Sequence, residues 1–115
     1  MKNFNRITVT GNAGSDPDMR YTPSGSAVTT FSLANNQGYG DNQKTIWFRI
    51  KCWNKLAESV NQYVEKGKAL LVDGRLSVDE WEGQDGKHTT VEITANDVIF
   101  LSSPKQETQE DKDFL

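Results

Sequence analysis

The chain has 115 residues, a formal charge of −3 from 13 Lys and Arg against 16 Asp and Glu, one histidine and one cysteine; that length suits one domain, and that inventory excludes an internal disulfide and a zinc site of His and Cys ligands. No apolar run approaches the roughly 18 residues of a membrane span, and Met1-Lys2-Asn3-Phe4-Asn5-Arg6 lacks the apolar stretch of a signal peptide, so a soluble cytoplasmic protein with no membrane partner is expected. The acidity is uneven: Met1 to Leu101 hold 11 Lys and Arg against 12 Asp and Glu, and Ser102 to Leu115 hold 2 against 4. The globular part is therefore near neutral, and a nucleic-acid partner depends on where its cations point.

In chain order, a first strand is expected over Phe4 to Thr10, where Ile7 and Val9 alternate with Arg6, Thr8 and Thr10, closed by Gly11-Asn12-Ala13-Gly14. A short extended piece with Met19, Arg20 and Tyr21 lies between turns at Asp16-Pro17 and Pro23-Ser24-Gly25. The second long strand, Ala27 to Asn35, puts Ala27, Thr29, Phe31 and Leu33 on one face; a polar loop, Asn36 to Gln43, leads to the third, Thr45 to Trp53. A helix is expected from about Lys55 to Glu65, with Asn54 as N-cap, Gly67 as C-terminal glycine, and Leu56, Val60, Tyr63 and Val64 on one face. A fourth strand, Ala69 to Trp81, turns at Gly83-Gln84-Asp85-Gly86 into a fifth, Lys87 to Leu101, interrupted near Asn96-Asp97.

Five strands with one helix between the third and fourth is the order of the OB-fold, a small Greek-key barrel that commonly binds oligonucleotides and oligosaccharides. Residues 1–101 are read as that domain. The remainder, 102–115, is polar and charged and is expected to be a disordered acidic tail, yet it ends in Phe114-Leu115.

The third strand carries the most chemistry. Alternation sends Ile46, Phe48, Ile50 and Cys52 to one face and Trp47, Arg49, Lys51 and Trp53 to the other. If the aliphatic set fills the barrel, the opposite surface shows two indoles separated by two cations over about 20 Å, an arrangement in which bases stack and phosphates are neutralised. The pattern alone equally allows the tryptophans to cover a second core under the helix or at a subunit interface. Tyr39 in the polar loop and Trp81 beside the last hairpin occupy loop-like contexts where a core role is harder to supply.

Supporting cations are Arg6, Arg20 and Lys55, with Lys66, Lys68 and Arg75 less pointed candidates. For catalysis there is little: Cys52 is expected to point inward, His88 to be a surface or cross-strand residue, and no glycine loop has the lysine and strand-to-helix setting of a phosphate-binding loop. No catalytic residue, metal or cofactor is expected.

Several collinear motifs between Asn5 and Leu101 then weigh against the second-core alternative. Asn5-Arg6-Ile7-Thr8-Val9-Thr10-Gly11-Asn12, Asp16-Pro17-Asp18-Met19-Arg20-Tyr21, Trp47-Phe48-Arg49, Lys55-Leu56-Ala57-Glu58, Tyr63-Val64-Glu65-Lys66-Gly67 and Val72-Asp73-Gly74-Arg75-Leu76 resemble the bacterial and mitochondrial single-stranded DNA-binding proteins, whose OB-folds stack bases on aromatic side chains. The resemblance implies base stacking at Tyr39, Trp47, Trp53 and Trp81, backbone contacts at Arg6, Arg20, Arg49 and Lys55, and homotetramers paired through their first strands. It also implies roles in replication, recombination and repair, with a C-terminal tip, here Asp111, Asp113, Phe114 and Leu115, that recruits partner proteins.

Two departures stand out. Asp79 and Glu80 precede Trp81 where the family is often basic, which should weaken phosphate contact there. The tail ends without the family's proline, with Lys112 among the acids and a linker of only about ten residues, which shortens its reach. Alternatives of other classes are a protein-docking module in replication restart and a carbohydrate-binding module; Arg49 and Lys51 between the tryptophans count against the latter.

Overall fold

The computed structural model describes residues 2–102. Its elements are β1 (Ile7–Ala13), β2 (Asp18–Tyr21), β3 (Ala27–Gln37), a 3-10 turn at Gly40–Asn42, β4 (Lys44–Trp53), α1 (Asn54–Tyr63), β5 (Ala69–Gly83) and β6 (Gly86–Ser102). The sheet runs β1-β5-β6-β4-β3, and a second pairing of β1 with β3 closes it into a five-stranded barrel with β2 added on the outside of β3. This is the expected OB-fold, with the helix between its third and fourth barrel strands.

Closure explains why the first strand differs from its expected bounds. Gly11, Asn12 and Ala13 form no turn: Ile7 to Asn12 pair with β5, while Asn12 and Ala13 pair with Ala34 and Leu33 of β3. The chain passes from one neighbour to the other at Gly11, where a Cβ would collide with the backbone carbonyl of Ala34. A glycine inside a strand often marks such a close approach at a barrel corner rather than a strand end.

The alternation of β3 and β4 is as expected. Ala27, Thr29, Phe31 and Leu33 are buried, as are Phe48, Ile50 and Cys52, and they meet Leu70, Val72, Ile93, Ala95 and Val98 from β5 and β6. Each large aliphatic side chain removed from water stabilises the fold by about 1.5–3 kcal/mol. Burial pushes the Cys52 thiol up to about 12, so it stays neutral and inert in the fold. The one buried polar side chain among the described residues, Thr29, donates from Oγ1 to the Ala57 carbonyl at 2.7 Å and fastens α1 across β3.

The helix departs from expectation at both ends. Trp53, not Asn54, holds the N-cap position, in extended backbone and without a side-chain cap bond. Asn54 has φ 59, a left-handed conformation that asparagine tolerates better than most residues, and the strand turns into the helix there. At the other end Val64 is the C-cap and Gly67 stands three residues beyond, its N–H bonded to the Ala13 carbonyl. Ala57, Val60 and Val64 face the core, while Tyr63 is 51% exposed and meets the ring of Phe100 edge-on.

β5 and β6 form one long hairpin around Gln84-Asp85, paired from Gly83 with Gly86 inward. Asp73 pairs with Asp97 and Gly74 with Ala95, so Asn96 is the extra residue of a bulge, at the interruption expected near Asn96-Asp97.

Because a Cβ at position 11 meets backbone that cannot swing aside, Gly11→Ala is expected to destabilise the fold by about 1–3 kcal/mol. Urea denaturation reads this as a lower midpoint; an unchanged midpoint would show that β1 and β3 separate without cost.

Candidate nucleic-acid interface

β4 lies between β3, which pairs with it from Lys44 to Trp53, and β6, which pairs with it at Arg49 to Lys51, and this fixes where its outward side chains stand. Across β3 their partners are Ala34 for Trp47, Ser32 for Arg49, Thr30 for Lys51 and Val28 for Trp53. These are small side chains that leave the rings uncovered. Trp47 is 56% and Trp53 37% exposed, and Tyr39 and Trp81 are 91% and 51% exposed. Among the described residues, no second core covers these rings.

Gly14 makes room for Trp47: a Cβ there would stand 2.5 Å from Cζ3 of the indole. The ring lies over backbone after β1 and forms one wall of a surface cavity of about 460 Å³, shared with Arg49. An adjoining hollow of about 310 Å³ is lined by Arg20, Arg49 and Lys51. Three of the expected cations thus converge beside the outward face of β4. Lys51 Nζ also lies 5.4 Å from the centroid of the Trp53 ring, within cation–π range.

The other two cations stand elsewhere. Lys55 lines a separate hollow between the β2–β3 turn and the start of α1. Arg6 lies at the β1–β5 side, where its Nε donates to Asp73 Oδ1 at 3.0 Å and Thr8 Oγ1 donates to the same oxygen. These bonds hold the Asp73 carboxyl below its ordinary range and raise the Arg6 guanidinium.

Carboxylates also reach the β4 face. The parallel register of β4 and β6 sets Arg49 opposite Glu92, with Arg49 Nε 3.6 Å from Glu92 Oε1, and Arg20 Nε is 3.1 Å from Asp18 Oδ2. Glu92 is a half-hidden member of the site that sequence reasoning missed, since nothing local foretells which residue of β6 lies beside Arg49. Among the described residues Lys51 has no carboxylate within ion-pair distance.

Trp81 stands apart, near the tip of the β5–β6 hairpin. Its ring stacks on His88, centroids 4.5 Å apart, and its Nε1–H donates to Thr90 Oγ1 at 3.1 Å. Asp79 shares its side of β5 by alternation, whereas Glu80 falls on the other, so only one of the two acids expected beside the indole shares its face. Tyr39 projects from the β3–β4 loop. The tip residues Asp111, Asp113, Phe114 and Leu115 lie outside the described residues. Within them no three His, Cys, Asp or Glu are grouped to hold a metal ion, and no helix is long and apolar enough to cross a membrane.

The sequence matches the single-strand binding protein family over residues 4–101. The chain belongs to that family. It is 44% identical over 102 residues to a Bacillus cereus protein named single-stranded DNA-binding protein, covering 85% of this chain and 60% of the relative. Single-stranded DNA-binding protein 3 of Listeria innocua is 42% identical over 105 residues, 87% of this chain and 65% of that one. Single-stranded DNA-binding protein 1 of Chlorobaculum tepidum is 34% identical over 110 residues, 89% and 67%. The chain therefore spans about three fifths of the Bacillus relative's length. Within this single-strand binding family member the matched region carries β4, the barrel and every candidate residue except the tip.

The depressed Asp73 carboxyl predicts an acid effect with a definite sign. A carboxyl held below its unfolded value adds stability above that value, near pH 4, and loses it as pH falls through the folded value. Asp73→Asn should therefore shrink the loss of stability on acidification below about pH 4, read from melting temperatures across pH 2 to 7.

Proposed function

We propose that the chain binds single-stranded DNA without sequence preference, and performs no chemistry on it. The observation that carries this reading is the outward face of β4, where Trp47 and Trp53 stay exposed on either side of Arg49 and Lys51, with Trp47 and Arg49 on one cavity and Arg20, Arg49 and Lys51 around the hollow beside it. Bases stack on indole whatever their identity, and cations between the rings neutralise phosphates. Tyr39 and Trp81 extend the stacking surface; Arg6 and Lys55 would meet the backbone of a strand that continues around the barrel. The names of the relatives point the same way.

The biological setting we infer is protection of strands during replication, recombination and repair in the cytoplasm. The partner-recruiting tip is Asp111, Asp113, Phe114 and Leu115, on a tail that begins near residue 102. A homotetramer suits the barrel: from Ile7 to Gly11, β1 pairs with β5 on one edge and with no described strand on the other, so a second copy can pair there. Thr10, Leu71 and exposed Ile99 form a row across the adjoining surface that such an assembly would bury.

Titration with oligo-dT at low salt is expected to quench tryptophan fluorescence, and the mass of the complex reads oligomeric state and stoichiometry together. Absence of any response to excess oligo-dT would sink the reading. Trp47→Ala and Trp53→Ala are each expected to weaken binding by about 1–3 kcal/mol with the fold intact by circular dichroism.

The ion pairs on this face make a second, less obvious expectation. A phosphate that binds Arg49 displaces Glu92, so part of the cation's neutralisation is already present in the free protein. Glu92→Gln should tighten oligo-dT binding and steepen the slope of log K against log salt by up to about 0.7. A weaker complex with an unchanged slope would mean that Glu92 holds Arg49 in its binding position instead.

A further inference from the structure

The hairpin tip carries an arrangement that the outward face of β4 does not explain. Counting inward from the Gly83–Gly86 pair places Trp81 opposite His88 and Asp79 opposite Thr90. The two rings are stacked at 4.5 Å with planes 22° apart, and the indole N–H is bonded to Thr90 Oγ1. His88 is held in turn: its Nε2 lies 2.5 Å from Asp85 Oδ1 in the turn. Gly83 leaves the imidazole its space, since a Cβ there would stand 3.0 Å from His88 Cδ2 and 3.1 Å from Nε2. Asp85, His88 and Trp81 thus form a short chain of contacts that ends on an indole still 51% exposed.

We infer that His88 is a positioning residue for DNA binding: it backs one face of Trp81, so that the indole receives a base on the opposite face only. This rests on the single-stranded DNA reading above. A tryptophan on an exposed hairpin strand loses rotamer freedom when a ligand orders it. The imidazole behind the ring and the Thr90 hydroxyl at its edge impose that order beforehand. The acid beside Trp81 then matters less, because Asp79 opposes phosphate whereas the ring's open face needs only the π-face of a base.

The test compares His88→Ala, His88→Phe, Trp81→Ala and the His88→Ala/Trp81→Ala double variant of the full chain, by anisotropy of a fluorescein-labelled oligo-dT. His88→Ala is expected to weaken binding about 2- to 10-fold, the range of one aromatic pair. His88→Phe restores the ring and should restore affinity. In the Trp81→Ala background the same His88→Ala change should have no further effect. A loss from His88→Ala of equal size with and without Trp81 would overturn the inference, as would unchanged affinity in His88→Ala.

Failure of the wild-type chain to bind oligo-dT would instead overturn the DNA reading itself. A readout without DNA separates the two: with Trp47→Phe and Trp53→Phe leaving Trp81 as the sole indole, His88→Ala should lower the fluorescence anisotropy of the free protein. An unchanged value would show that His88 does not order the ring.

Discussion

The outward face of β4 depends on the strand being paired along both edges. Antiparallel bonds to β3 and parallel bonds to β6 leave β4 no register to slip into, and a slip of one residue would exchange its two faces. The same bonds drive Phe48, Ile50 and Cys52 into the barrel and hold Trp47, Arg49, Lys51 and Trp53 outside it. Core and surface are therefore two consequences of one set of hydrogen bonds. The small side chains of β3 opposite the indoles, and the bare backbone at Gly14, keep that surface open.

Electrostatics on this surface is a balance rather than a basic field. A chain of net charge −3 gathers three cations beside β4, and two of them, Arg49 and Arg20, stand within ion-pair distance of carboxylates, Glu92 and Asp18. The exposed Arg20–Asp18 pair contributes little to stability, whereas Glu92 keeps only 15% of its side chain in solvent beside Arg49. Arg6 belongs to a different balance, with Asp73 and Thr8 on the β1–β5 side, where the barrel's strand order separates β1 from β4 by β3 on one route and by β5 and β6 on the other.

The β5–β6 hairpin extends the same principle beyond the barrel. Past the point where β4 accompanies β6, the two long strands have only each other, and side-chain pairs across them replace core packing as the source of order. Trp81, His88 and Thr90 are such a set. At the other end of the hairpin the Asn96 bulge changes which residues face inward, so that Ala95 and Val98 are both buried on either side of it.

Local pattern alone determined the strand alternation, the helix, the last hairpin with the interruption at its bulge, and the inward cysteine, while it left open whether Trp47 and Trp53 stay outside. Period-two and period-3.6 patterns report burial directly, and a two-residue turn sets its own register; the Trp81–His88 pair was legible by that same count. Tertiary structure decided what depends on residues far apart in sequence. It turned Gly11 to Ala13 from a strand end into the seam of the barrel, because Gly11 lets the Ala34 carbonyl approach. It moved the helix cap from Asn54 to Trp53 and set Tyr63 outside, against Phe100. It also paired Arg49 with Glu92 and Arg6 with Asp73 while gathering Arg20, Arg49 and Lys51 around one hollow. An ion pair between strands depends on register and strand order, and neither is written in the spacing of charges along a single strand.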